Sequence, residues 1–521
     1  MLEERRPETA AVTSVAEPTA HPASAYRDPV AWATAACVFG AYVTLSLYRL
    51  WQRMPSSWDL GIYTEYVKQF AHLRAPIVDV RGAGFNLLGD HFQVIVALIA
   101  PFFRVFPSPA TLLVAQAVLT AVSVFPVTTA AVALLGRGAG RAVGFAYGFS
   151  WGLQQMIDFD FHEIAFAVPL LAFSLSALVR GRTRAAVLWA LPLVFVKEDQ
   201  GFTVAAIGLL MMLSGRLRRS RGSLAGGAFL AVWGLAWSLI AITVIIPHFN
   251  AAHRYIYWDL GGVVGSGSPF SATGLVAQGF HGWPVKLGTV VMLLLPTAFI
   301  ALGSPVALTV LPSLALRFLA TNPFYWQTMW HYNATAMPIL FIGAAEVMAR
   351  WRALPSPAAA SPASGDSAAS GDSALPANPT FRIFRDTWES AQRGAARHGA
   401  AMMAALAVAL AFQFPLSNLW HDSTYQTGPH VAAANAAMAE VPDGATVQTT
   451  LGLLAPLAAR TDTFWIGNPG NPATQYIVFD GAESGYSPPP SNVPAFIDQL
   501  YPKAGYAEIF ESAGVYVFRR A

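Results

Sequence analysis

Asp158-Phe159-Asp160-Phe161-His162-Glu163 lies between two apolar runs, 142–157 and 163–179, and its reading decides the fold. Four of these six residues are titratable. Runs this apolar approach the roughly 20 residues needed to cross the hydrocarbon core of a bilayer. Arg141 stands before the first run, and Arg180, Arg182 and Arg184 follow the second. Basic clusters flanking apolar spans mark the cytoplasmic side, so an even number of crossings separates them. The stretch therefore reads as a helical hairpin with its acidic tip on the non-cytoplasmic side. Lys197-Glu198-Asp199-Gln200 repeats the pattern between 185–196 and 201–214, ahead of Arg216, Arg218, Arg219 and Arg221. The arms of this second hairpin are short, so its tip falls near or below the membrane surface. Charge at that depth survives only in pairs or in a polar cavity.

Composition agrees. Of 521 residues, 55% are hydrophobic and 12% charged, whereas soluble domains carry about 25% charged residues. The net charge of +3 is small, and no basic stretch is interleaved with base-stacking aromatics, so nucleic acid is not an expected partner. A single cysteine, Cys37, excludes an intrachain disulfide and a cysteine metal cluster.

Eleven apolar runs are expected to cross: 30–50, 109–135, 142–157, 163–179, 185–196, 201–214, 223–247, 284–303, 305–320, 333–349 and 400–416. His91–Phe106 carries Pro101 and Arg104 and reads as an interfacial or re-entrant helix on the outer face. The expected fold is an all-α polytopic membrane protein with a small C-terminal α/β extracytoplasmic domain. Its parts are a disordered cytoplasmic N-terminus (1–29), a transmembrane domain (30–349) with outer loop 51–108, a cytoplasmic linker (350–399), a last span (400–416) and the α/β domain (417–521). The linker contains low-complexity sequence over 355–379, where SGDSA occurs twice. In the C-terminal domain a helix is expected near 430–440, with strands at 445–450, 475–480 and 515–520.

Several hydrophilic residues recur at the outer face. Asp59 follows the first span and reads either as a helix cap or as a catalytic carboxylate whose desolvation raises its basicity. Asp90 and His91 open the interfacial helix, as a local cap and hydrogen bond or as substrate ligands. Asp158, Asp160, His162 and Glu163 form either a solvated loop or ligands for a divalent ion, Mg²⁺ or Mn²⁺, although their spacing matches no metal motif. Lys197, Glu198 and Asp199 read as a self-neutralised cluster, or as a lysine meeting a phosphate oxygen with an acid orienting it. His331 and Tyr332 follow the aromatic residues Phe324, Tyr325, Trp326 and Trp330, which serve as interface anchors; His331 at that depth can contact a phosphate. The loop 248–283, with His248, His253, Arg254, Tyr255, Tyr257, Trp258 and Asp259, covers a cavity, binds sugar by stacking, or packs.

The motifs WDLGIY (58–63), NLLGDHF (86–92), DFHE (160–163), KED (197–199) and HYNATAMP (331–338) resemble the DUF2079 family of bacterial membrane proteins, from about residue 45 to the chain end. The layout is similar to the GT-C class of glycosyltransferases. That resemblance implies a bacterial plasma-membrane enzyme moving sugar from a polyprenyl-linked donor to a glycan or lipid acceptor on the outer face. Carried over by position, Asp59 is the general base; beside that resemblance, the residues themselves suggest Lys197 and His331, joined by Arg254, as the groups that stabilise the departing lipid phosphate. The commonest GT-C pattern has two adjacent acids here; this chain has Asp59 with Glu65 six residues on. No nucleotide fingerprint occurs. Rival readings are a lipid or solute transporter, expected to show repeats and midplane charges, and a non-catalytic scaffold.

Overall fold

The computed structural model describes residues 28–55, 57–258, 272–354 and 379–521. Residues 1–27 of the segment expected to be disordered, Asp259, and the repeat-bearing part of the linker over 355–378 lie outside the described residues, whereas Asp28 and Pro29 are ordered as the N-cap and first residue of the first helix.

All eleven apolar runs are helical over most of their length. Six helices among the described residues are long and apolar enough to cross a membrane: Pro29–Trp51, Pro109–Leu135, Gln200–Leu217, Arg221–Phe249, His331–Arg352 and Thr387–Ala411. The others are shorter or broken. Arg137–Gly148 is interrupted before Trp151–Asp158, and the helix from Trp283 breaks where Ala298 and Phe299 turn left-handed. Irregular backbone at membrane depth is tolerated where protein covers it.

Glycine sets the tightest packing. The hairpin Gln200–Leu217 and Arg221–Ile240 closes until a Cβ on Gly208 would stand 2.5 Å from the Gly227 carbonyl oxygen. Lipid tails are as apolar as side chains, so helices in a bilayer associate through such close van der Waals contact.

The basic turns and the acidic tips occupy opposite ends of the helices. Arg141 Nη2 pairs with Asp28 at 2.9 Å, and Arg352 Nη1 reaches the Leu135 carbonyl at 2.6 Å. Thr183 Oγ1 lies 3.0 Å from Ser223 Oγ, joining the Arg180–184 turn to the Arg216–221 turn. At the other end Lys197 Nζ meets Glu163 Oε1 at 3.0 Å, so both hairpin tips share one face.

The segment after His91 is a 3₁₀ turn, Val94–Ile99, leading into a short helix, Ala100–Val105. Leu98, Phe102, Val105 and Phe106 are exposed, whereas Val96, Ile99 and Phe103 are buried. Arg104 Nη1 donates to the Ala71 carbonyl at 2.6 Å. An apolar stripe outward, core residues inward and an anchored arginine agree with an interfacial element rather than a span.

The linker ends earlier than expected. A helix runs over Pro379–Ala411, taking in residues assigned to the linker and stopping short of 416. Charged residues such as Glu389 and Arg393, paired at 3.4 Å, conceal this helix from a search for apolar runs.

The C-terminal domain holds a five-stranded sheet: β1 (Thr446–Thr449), β2 (Asp462–Trp465), β3 (Tyr476–Asp480), β4 (Tyr506–Ser512) and β5 (Val515–Arg520), in the order β2-β1-β3-β5-β4. β1 is parallel to β2 and β3, whereas β5 is antiparallel to β3 and β4. The expected helix and three strands are present; β2 and β4 were not anticipated. The domain clamps the end of the first span. Gln52 Nε2 donates to the carbonyls of Ser423 (2.9 Å) and Thr424 (2.6 Å). The helix Leu451–Ala458 lies against Asp59–Ala71, where a Cβ on Gly61 would stand 2.8 Å from Leu454 Cγ. Trp58 meets Trp465 edge-on at 4.9 Å.

Candidate active site

Asp59 is the first residue of the helix Asp59–Ala71, and its carboxylate does not cap that helix's amides. It accepts a hydrogen bond from Ser57 Oγ, and Oδ2 stands 3.6 Å from His162 Nε2. Burial opposes ionisation of Asp59, but the hydrogen bond and charge of His162, the Ser57 hydroxyl and the nearby Lys197 more than offset it. The carboxyl is held below its ordinary range, the reverse of the expected rise, because these donors outweigh desolvation. Glu65 is not a second acid beside it. It is buried among Val80, Lys68 and the C-terminal domain, accepts from the Val80 amide at 2.9 Å, and is pushed up to about 8 by burial.

The 158–163 turn is held by one side chain. Gln116 Nε2 donates to the Asp160 carbonyl at 2.8 Å, and Gln116 Oε1 accepts from the His162 amide at 3.0 Å. Asp160 takes a left-handed φ of 63°, a conformation that aspartate tolerates better than most residues. That turn splays the tip. Asp158 pairs with Arg49 at 3.1 Å, His162 faces Asp59, and Glu163 accepts from Lys197 and the Tyr63 hydroxyl. Asp160 is buried and borders a small crevice between Leu50–Gly61 and Leu451–Pro456. The four residues therefore do not fit the divalent-ion set expected of them, and among the described residues no three His, Cys, Asp or Glu side chains converge as metal ligands.

The second tip is sorted in the same way. Lys197 is spent on Glu163, not on its sequence neighbours. Charge from Glu163, Glu198 and Asp199 outweighs burial and holds the Lys197 ammonium well above its ordinary value. Glu198 is almost fully buried and accepts from His91 Nδ1 (2.7 Å), the Tyr255 hydroxyl (2.9 Å) and the Phe92 amide (3.1 Å). Burial resists this charge, yet His91 and Lys197 bring Glu198 down to about 2. His91 rises in return: burial and Lys197 oppose its charge, but Glu198 prevails. Asp90 accepts from the Tyr257 hydroxyl at 2.8 Å and lies 3.6 Å from Arg81 Nε, while the His91 and Tyr257 rings stack at 4.5 Å.

These groups surround a cavity that opens at one side. His91, Lys197, Glu198, Asp199, His331 and Tyr332 line it together with Glu163. Phe202, Ile242 and Leu316, from three helices, line its apolar part. His331 stacks on His162 at 3.9 Å, which joins the cavity wall to Asp59 behind it. Asp59 and Asp90 thus stand at the cavity's edge rather than in its lining. Arg254 is exposed and outside it; Tyr255 and Tyr257 of the same loop line it instead. Trp326, expected as an interface anchor, is buried, and Tyr325 faces the cavity.

Sequence reasoning missed Arg317 and Tyr63. Arg317 lines the cavity and donates to the carbonyls of Tyr325 (2.9 Å) and Tyr332 (3.2 Å) and to Asn333 Oδ1 (3.0 Å). It is the one charged residue in the run 305–320, a signal that marks functional positions in membrane segments. Tyr63 carried no such mark; only the fold brings its hydroxyl to Glu163.

No curated protein sequence matches the chain. Among solved structures, the fold is similar to that described as ArnT from Cupriavidus metallidurans bound to undecaprenyl phosphate, with a TM-score of 0.51, 13% identity, and coverage of 93% of this chain and 97% of that one. At that identity the likeness is one of fold alone. A family model described as a predicted membrane protein matches residues 49–480, ending at β3 rather than at the chain end; the chain belongs to the DUF2079 family of membrane proteins.

Proposed function

We propose that the chain is a membrane glycosyltransferase that takes sugar from a polyprenyl-phosphate or -diphosphate donor at the end of the helices bearing the acidic tips. The positive-inside reading makes that end non-cytoplasmic. The observation that carries this is the cavity's two-part lining, with the cations Lys197, His91 and Arg317 on one part and Phe202, Ile242 and Leu316 alongside. A ligand with an anionic head and a hydrocarbon tail matches that division. The solved structure of similar fold was determined with undecaprenyl phosphate, which supports the same ligand class.

In this reading the lipid phosphate lies against the cationic groups, and Asp59, ionised through His162, Ser57 and Lys197, takes the acceptor hydroxyl's proton. The freed oxygen attacks the anomeric carbon as the bond to the lipid phosphate breaks, inverting the centre, and the cations stabilise the departing phosphate. His162 orients Asp59 and is itself held by His331 and Gln116. The charged groups gather at one end of the helices rather than at midspan, which disfavours a transporter.

The test is Asp59→Asn in the full chain, assayed for transfer of labelled sugar from polyprenyl-linked donors to envelope acceptors in membranes. Loss of a positioned base typically costs about 10²–10⁴-fold. We expect a loss of that order with unchanged thermal melting. Full transfer by Asp59→Asn removes Asp59 from the mechanism.

A further inference from the structure

Five carboxylates lie in or beside the cavity, and four are answered. Glu163 has Lys197 and Tyr63; Glu198 has His91, Tyr255 and an amide; Asp90 has Tyr257 and Arg81; Asp59 has Ser57 and His162. Asp199 differs. It lines the cavity, and its one described hydrogen bond is from the adjacent Gln200 Nε2, at 3.2 Å.

Its place in the chain sharpens the contrast. Asp199 immediately precedes the helix Gln200–Leu217 with a helical backbone (φ −81°, ψ −20°), so its carboxylate does not reach the first helix amides and is left facing the cavity. A cavity-lining carboxylate whose described bond is to its chain neighbour alone remains open to a ligand.

The surrounding charges decide what ligand state it favours. Lys197 cancels Glu163, and His91 cancels Glu198. Arg317 has no carboxylate within ion-pair distance among the described residues; its partners are carbonyls and an amide oxygen. The Tyr255 and Tyr257 hydroxyls are committed to Glu198 and Asp90, while Tyr325, Tyr332 and His331 face the cavity from Arg317's side. Among the charged groups that line the cavity, Lys197, His91 and Arg317 balance Glu163, Glu198 and an ionised Asp199; with Asp199 neutral they leave one positive charge. Burial, assisted by Glu198 and Glu163 against Lys197, pushes the Asp199 carboxyl up. An anionic head arriving beside it adds repulsion in the same direction.

Resting on the lipid-phosphate reading above, we propose that Asp199 meets the phosphate as a neutral carboxylic acid and donates a hydrogen bond to it, so that binding takes up a proton. Carboxylic acids kept neutral by their sites serve as donors elsewhere in enzymology. Because the carboxyl is raised, the binding-competent form predominates below its folded value and is lost as pH rises through it.

The experiment is titration of the full chain in nanodiscs with undecaprenyl phosphate across mildly acidic to alkaline pH, for wild type and Asp199→Asn. The variant carries a permanent neutral donor and reports the lipid's own second ionisation, near about 6 for phosphate monoesters. Above the Asp199 value, wild-type affinity should fall by up to about tenfold per pH unit more steeply than the variant's. At alkaline pH Asp199→Asn should therefore bind more tightly than wild type, and calorimetry in buffers of different ionisation enthalpy should show proton uptake only for wild type. Identical slopes for the two proteins overturn the proposal. So does an Asn variant that melts normally but has lost affinity at every pH, since Asp199 would then act as an ionised acceptor. Absence of wild-type binding at any pH removes the polyprenyl reading itself, and the Asp199 role with it.

Discussion

Lys197 and Glu163 form the ion pair on which the cavity is built. Glu163 is fully buried, and Lys197 keeps 18% of its side-chain exposure. Removing one partner of a buried pair strands the other charge and costs about 3–5 kcal/mol, whereas replacing both with apolar residues of similar volume is often neutral. Lys197→Met and Glu163→Gln should therefore each lower stability by an amount in that range, Glu163→Gln less because Tyr63 still finds an acceptor. The double variant Lys197→Met with Glu163→Leu should melt closer to wild type than Lys197→Met alone. Thermal melting of these proteins and of Glu163→Leu alone checks this; a double variant whose loss equals the sum of the Lys197→Met and Glu163→Leu losses would mean the pair does not couple. The sequence presented Lys197 beside Glu198 and Asp199, and adjacency suggested self-neutralisation. Adjacent residues of a tight turn point in different directions, so the true partner comes from the neighbouring hairpin, 34 positions away, and no local pattern records it. The same turn geometry splays Asp158, Asp160, His162 and Glu163, which the sequence presented as a cluster.

At the scale of elements, legibility follows the bilayer. Apolar runs and their basic flanks announced the hairpins, because hydrocarbon imposes one solution on every backbone polar group. Helices whose charge is tolerated elsewhere were misjudged, as with Pro379–Ala411, and so were the strands β2 and β4 of the aqueous domain. The hairpin Gln200–Leu217 with Arg221–Ile240 was visible, but the closeness of its packing was not. That closeness can be tested. Gly208 and Gly227 face each other with no room for a Cβ, and backbone cannot yield as a flexible side chain does. Gly208→Leu should force the helices apart at about 1–3 kcal/mol or more, the usual cost of overpacking. Because Asp199 opens the same helix, the variant should also weaken undecaprenyl phosphate binding. Gly222→Ala, which meets nothing within 4 Å, is the control and should leave both unchanged. Equal melting of Gly208→Leu and the control would show that the helices are not held by this contact.

Across the whole molecule, each acidic element is brought to one face by a helix that begins or ends there, and the C-terminal domain closes over the same face. Gln52 reaches Ser423 and Thr424, Lys68 Nζ donates to the Thr461 carbonyl at 2.7 Å, and Asn468 Nδ2 donates to Val80 at 2.9 Å. The loop that follows the first span is thus held between bundle and domain, which fixes Asp59 relative to the cavity. If the basic turns face the cytoplasm, loop and domain must together face the other compartment. Cys37 is the single cysteine, so a Cys37→Ser background permits site-directed labelling. Leu73, at the end of the helix Asp59–Ala71, is 93% exposed, and Gly181 lies in the opposite basic turn. In intact cells a membrane-impermeant maleimide should label Leu73→Cys and spare Gly181→Cys until the membrane is opened. The reverse pattern would place the cavity in the cytoplasm, within reach of soluble nucleotide sugars, and a lipid-linked donor would lose its rationale. Labelling of both positions in intact cells would contradict the separation of basic and acidic ends on which the assignment of sides depends.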